Sequence, residues 1–197
     1  MTMPSASLAR ALDLPSDPPL RPLPAEAAAL LRALGAPPRL AAHLRAVHDV
    51  AVEVVDWVRE RHPGLAFDKD AVLFGAATHD VGKVVHPEEL VGPGSAHEAA
   101  GRELLLRHGV GAERARFAAS HARWDDPDVT VEDLLVSVAD KVWKDKRVAG
   151  LEDRLVRVLA RASGREPWEE FLALDELLVR LGAGAGRRLA FQAAFPV

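Results

Sequence analysis

Between Leu40 and Val58 an apolar residue recurs every three or four positions: Leu40, Leu44, Val47, Ala51, Val54 and Val58. At about 100° per residue these fall on a single stripe, which a helix can bury against a core. A strand, with its period of two, cannot. The same spacing returns along most of the chain, and a convincing strand alternation occurs nowhere. The expected class is therefore all-α, a single-domain helical bundle. Proline and glycine punctuate it. A short helix over 25–35 ends at Gly35, and Pro37 and Pro38 separate it from a long helix at about 39–62, closed by Pro63 and Gly64. Asp68 is placed to cap a helix at about 69–79 that is apolar almost all round and so should be buried and central. Beyond a loop with Pro87, Gly92, Pro93 and Gly94, Ser95 and Glu98 have capping-box spacing and open a helix at about 96–108. A short helix at about 111–121 follows, then a turn at Asp125 to Asp128. Thr130 and Asp133 open a helix from 131 to about 145, and further helices are expected at about 151–162, 167–181 and 185–194. Residues 1–24 carry Pro4, Pro15, Pro18, Pro19, Pro22 and Pro24. They read as an extended, mobile or surface-hugging tail ahead of a helical domain at 25–197.

Composition removes several functional classes. Hydrophobic residues at 49% and charged residues at 27% exclude disorder of the whole chain. A net charge of −4 gives no electrostatic case for nucleic acid as a partner. Cysteine is absent, which excludes a disulfide framework, a thiolate metal site and a cysteine nucleophile. No stretch approaches the roughly 20 apolar residues of a membrane span. The first 24 residues lack the apolar core of a signal peptide, so the cytoplasm is the default expectation.

Histidine and aspartate occupy special places. His43 lies inside the edge of the apolar stripe and points inward. His48 lies about 100° from its centre, towards Arg45, Asp56 and Arg59, and should point outward. Taken alone, His43 reads as a core histidine bonded to a carbonyl. His79 and Asp80 end the all-apolar helix, where burial is costly without a partner. At a last helical turn both side chains can converge on one ion beyond the helix end. Gly82 permits a sharp turn there, and Lys83 puts a cation close by. His97 opens the helix after the glycine-rich loop, with Gly101 four residues on, where close packing is expected. His121 ends another helix. Asp140 shares a face with Val136 among apolar neighbours, and a buried aspartate needs a partner. His62, His86 and His108 are assigned to the surface.

The order His43, His79-Asp80, His97, His121, Asp140 resembles the HD-domain metal-dependent phosphohydrolase superfamily. The matching segments are HLRAVHDVA (43–51), THDVGK (78–83), HEAAG (97–101), ASHARW (119–124) and VADKVWKDKR (138–147), within a motif core at 39–147. His48 also precedes His79 at a plausible spacing, but its helical face favours His43. The resemblance implies one divalent ion on His43, His79, Asp80 and Asp140. Members with extra histidines add a second ion, here on His97 and His121 with Asp80 as bridge. Mixed imidazole and carboxylate ligation suits Mn, Fe, Co, Ni or Zn. The implied reaction is attack of metal-bound hydroxide on a phosphate ester or anhydride, with Asp80 and Lys83 as catalytic residues. Lys83, Arg102 and Arg147 are candidates to hold phosphate. The expected substrate is a small-molecule phosphate, with a nucleotide first, since the pattern is similar to bacterial dinucleoside tetraphosphate hydrolases. Other readings are a non-catalytic nucleotide-binding or signalling module, a di-iron oxygenase on the same scaffold, and a generic helical interaction domain. Trp168, Phe171, Leu174, Leu177 and Leu178 form a stripe that either closes the core or builds a homodimer.

Overall fold

Helix α3 is the axis of assembly in the computed structural model, which describes residues 6–197. The chain runs through α1 (Ala6–Asp13), α2 (Ala25–Ala33), α3 (Pro38–Arg61), α4 (Lys69–Thr78), α5 (Ala96–Arg107), α6 (Ala112–Ala115), α7 (Phe117–Ser120), α8 (Val131–Val142), α9 (Ala149–Ser163), α10 (Pro167–Gly182) and α11 (Ala185–Ala193). Two 3-10 turns, Val81–Val84 and Pro87–Leu90, join α4 to α5. No strand occurs among the described residues, so the all-α expectation stands. No helix among them is long and apolar enough to cross a membrane.

All six stripe residues of α3 are buried. They receive α4 and α8 on one side and α1 and α11 on another. Helix α4 is covered all round as its composition demands, with Val72, Phe74, Ala76 and Ala77 fully buried. Each large side chain enclosed this way contributes roughly 2 kcal/mol. Start signals behave as read at two helices. The Asp68 carboxylate accepts from the Ala71 amide at 2.9 Å. Thr130 and Asp133 form a reciprocal capping box. Helix α5 differs: Ser95 makes no side-chain cap bond. The Glu89 carboxylate instead accepts from the amides of Ala96 (3.0 Å) and His97 (3.2 Å), capping the helix from the preceding turn.

Three expectations are corrected. The stretch ahead of residue 25 is not simply extended, since Ala6–Asp13 is the helix α1, whose Leu8, Ala11 and Leu12 are buried. Pro4 lies outside the described residues. Arg45 on α3 is a buried arginine that donates to the carbonyls of Ala11, Leu14, Leu20 and Arg21 at 2.8 to 3.1 Å. It satisfies the C-terminal end of α1 and ties the proline-rich segment down. That segment also covers His48, which is buried rather than outward. His62 is buried as well, with Nε2 3.3 Å from the buried Glu170 carboxylate. Arg61, Ser163 and Arg165 also bond Glu170, which ties the end of α3 to the α9–α10 corner. On α10 the stripe divides: Leu174, Leu177 and Leu178 enter the core, while Trp168 and Phe171 stay exposed.

Candidate metal centre

The site is built where α4 stops. Thr78 donates its hydroxyl to the Phe74 carbonyl, and His79 takes the C-cap position. The His79 Nδ1 donates to the Ala76 carbonyl at 3.0 Å, which leaves Nε2 as the free lone pair. Asp80 follows, and the 3-10 turn at Val81–Val84 brings Lys83 round beside it. This turn lies against α5 at backbone contact. A Cβ on Gly82 would sit 1.9 Å from the His97 carbonyl oxygen, and one on Gly101 would sit 3.0 Å from the Gly82 amide nitrogen. Two facing glycines thus let α5 come close enough to present His97, as Gly101 led us to expect.

All six expected ligands converge. His43 Nε2 lies 3.4 Å from His79 Nε2 and 4.0 Å from Asp140 Oδ1, and His79 Nε2 lies 3.4 Å from Asp140 Oδ1. Ligand atoms held about 2.1 Å from one ion stand roughly 3–4 Å apart, so this spacing fits a common ion. A second group abuts the first, with His97 Nε2 and His121 Nε2 at 3.0 and 3.5 Å from Asp80 Oδ1. The other Asp80 oxygen, Oδ2, faces His43 at 3.2 Å. One carboxylate therefore presents one oxygen to each group. The rear nitrogens are anchored: His121 Nδ1 donates to the Ala118 carbonyl at 3.1 Å, and His97 Nδ1 to Glu89.

Electrostatics favour the ionised form of both carboxyls in this cluster. Burial alone would raise the Asp80 carboxyl, but the imidazoles of His79, His43 and His97 gathered round it hold it well below the usual carboxylate range. Asp140 behaves alike: burial opposes its charge, and His79 and Lys141 outweigh it. Burial pushes His43 down, and pushes His121 down to about 4 with help from the His79 charge. Only His97 is raised, because Asp80 and Glu89 overcome its burial. A divalent cation binds carboxylates in their ionised form and imidazoles in their neutral form, so one held here would displace the proton that His97 favours. His97 Nε2 supplies a direct test of fit. It is buried and, although 3.0 Å from Asp80 Oδ1, has no aligned hydrogen bond. Two groups that face a common point, rather than each other, have this geometry. The donor set of imidazole and carboxylate fits a first-row transition ion.

The cluster forms the floor of a cavity of about 430 Å³. Lys83 Nζ and Lys141 Nζ each lie 2.6 Å from a ligand carboxylate, on Asp80 and Asp140 respectively. Two expected phosphate contacts are corrected. Arg102 is exposed on α5 and does not line the cavity. Arg147 is held by Glu152 at 2.9 and 2.7 Å and by Asp175 at 2.8 Å, which raises its pKa further and ties the start of α9 to α10. His48 lines a separate cavity with Arg21 and Leu73, away from the cluster. Sequence reasoning missed Glu89, for which a proline-flanked loop gave no signal. It also missed Arg39, Lys141, Trp143 and Lys144, all lining the cavity. Arg39 is one turn before His43 and Lys144 one turn after Asp140, so helical spacing from the ligands would have found them.

These features define a class: an all-helical protein with abutting groups of buried histidine and aspartate that can hold metal at the floor of an open cavity. The family model of the HD domain matches residues 28–143, more than half of the chain. The chain belongs to the HD-domain family, whose superfamily is of the metal-dependent phosphohydrolase type. Neither the curated proteins nor the solved structures compared with it gave a match.

Proposed function

We propose that the chain is a metal-dependent phosphohydrolase that cleaves a phosphate ester or anhydride, with nucleotides as first substrates to test. The observation that carries this reading is Asp80, whose two oxygens face two abutting sets of ligand atoms below an open, lysine-flanked cavity. His43, His79 and Asp140 would hold one divalent ion, and His97 and His121 a second, with Asp80 between them. Bound there, such an ion lowers the pKa of a coordinated water and draws charge from a phosphoryl oxygen. The chain supplies the rest. Lys83 and Lys141 offer charge-assisted hydrogen bonds to phosphate oxygens. Glu89 and the carbonyls of Ala76 and Ala118 hold Nδ1 of His97, His79 and His121, so that Nε2 of these three is left as a lone-pair donor.

The test is turnover of a phosphate-ester and nucleotide panel by the metal-loaded full chain. We expect phosphate release that His79→Ala and Asp80→Ala each reduce by about 100-fold or more. Tight nucleotide binding without product would favour the non-catalytic module instead. Undiminished turnover in both variants would remove the site from the reaction.

A further inference from the structure

Large apolar side chains are left in the open on one helix. Trp168, Phe171, Leu172 and Val179 of α10 are 63%, 47%, 57% and 58% exposed. No other helix among the described residues leaves more than one such side chain exposed. The opposite face of α10 is already used: Leu174, Leu177, Leu178 and Leu181 are buried, and the helix packs chiefly against α9. At about 100° per residue, Trp168, Leu172 and Val179 fall within about 40° of one another, with Phe171 beside them. The stripe runs from the first turn of the helix almost to its last. Side chains of this size and exposure leave roughly 400 Å² of apolar surface, enough to mark an interaction site rather than a scatter of single residues. Asp175 interrupts the stripe, but Arg147 pairs with it at 2.8 Å, so its charge is met within the chain.

The charges beside the stripe select what covers it. Glu169, Glu176 and Arg180 share one flank of α10, again within about 40°. The ion pairs that α10 makes are those of Glu170 and Asp175, so Glu176 and Arg180 stay unpaired among the described residues. Glu169 accepts from the Glu166 amide at 3.1 Å. Acid thus lies towards the N-terminal end of this flank and base at its C-terminal end. About a two-fold axis perpendicular to α10, the flank meets the same flank of a second copy running the other way. A register that sets Trp168 against Val179 of the second copy brings Glu169 near Arg180, twice over. A parallel pair would set each of the three charges against itself, which repels. We propose that this face of α10 binds the same face of a second copy of the chain, antiparallel, in a two-fold dimer. A standard interface buries about 800 Å² per partner, somewhat over half of it apolar, so the stripe supplies the apolar share that a stable dimer needs. No residue of α10 lines the metal cavity, so the dimer stands independently of the hydrolase reading.

Sedimentation velocity of the full chain over a concentration series tests this. A species of twice the chain mass is expected at micromolar concentration. Leu172→Glu puts a charge in the middle of the stripe without touching the core, and should raise the dissociation constant by about 100-fold or more. Trp168→Ala should raise it by about 30-fold. A thermal unfolding curve like that of the parent shows that each variant is folded. Val91→Glu, at a position 71% exposed ahead of α5, should leave the dimer unchanged. The chain has no cysteine, so introduced thiols report the direction of pairing. At a concentration where the dimer forms, a short bismaleimide should link Glu169→Cys to Arg180→Cys in a mixture of the two variants, and link neither variant to itself. A monomer at every concentration would overturn the proposal and leave the stripe to a different protein. A dimer of undiminished affinity in folded Leu172→Glu would also overturn it, as would thiols that link Glu169→Cys to itself.

Discussion

Helix α8 carries two buried aspartates seven residues apart, Asp133 and Asp140, and they are satisfied in opposite ways. Asp133 is closed. Ser120 donates to it at 2.6 Å, the Thr130 hydroxyl at 2.7 Å, the Thr130 amide at 3.0 Å and Arg116 at 3.3 Å. Each of these partners is an N–H or O–H donor, and the set completes a helix start. Asp140 is open. Apart from Lys141, it faces the Nε2 atoms of His43 and His79, and His79 Nδ1 already meets the Ala76 carbonyl, which makes its Nε2 an acceptor when the ring is neutral. The difference is between a network that ends in the protein and one that needs a positive charge from outside. Burial and low carboxyl pKa values are common to both, so neither property marks the functional site. The chemistry of the neighbours does.

Substitution should separate the two aspartates. Asp140→Asn is expected to lower metal content and phosphate release together, the latter by about 100-fold or more, while Asp133→Asn leaves metal content per folded chain unchanged. Elemental analysis of the purified variants reads this directly. Next in size is Gly82→Ala. Its Cβ has no room beside the His97 carbonyl, so α5 must shift. We expect a loss of about 3 kcal/mol or more in chemical denaturation, with reduced metal content, because His97 moves with the backbone. Asp133→Ala removes a cap and strands Ser120 and Arg116. It should cost about 2–3 kcal/mol with the metal site intact.

The smallest effect concerns a third buried group, the neutral His48. Burial pushes its pKa down to about 4, against about 6.5 in an unfolded chain. The folded state binds the proton less well, so the stability this histidine permits is complete above about pH 6.5 and fades as pH falls through about 4. His48→Gln should therefore shrink the fall in unfolding free energy between pH 7 and pH 4.5 by about 2 kcal/mol in metal-free protein. An unchanged pH slope would mean that His48 is solvated.

Much of this was legible in the amino-acid order because its periodicity is strong. The stripe of α3, the all-apolar α4 and the Thr130–Asp133 box each name their own environment. The candidate ligands were legible through the family resemblance of their segments; position alone left His43 readable as a core histidine bonded to a carbonyl. What escaped was set by contacts distant in the chain. Arg45 looked like the solvated side of α3, yet it bonds four carbonyls from the stretch preceding residue 25, and this arrangement also buries His48. Glu89 caps α5 and anchors His97 from a turn that has no periodicity. Arg147 was a candidate to hold phosphate through the resemblance but meets Glu152 and Asp175 first. Spacing reports which face a residue shares, but not which charge reaches it from another element.

His43, His79 and Asp140 surround a point suited to a cation, with Asp80 reaching towards it from beside them. Crystals of the full chain soaked in manganese, with data collected for anomalous scattering, test it most directly. A strong peak is expected within bonding distance of His43 Nε2, His79 Nε2 and Asp140 Oδ1, and a second between Asp80 Oδ1, His97 and His121. A map without a peak at the first position, in a chain whose side chains keep these separations, would contradict it.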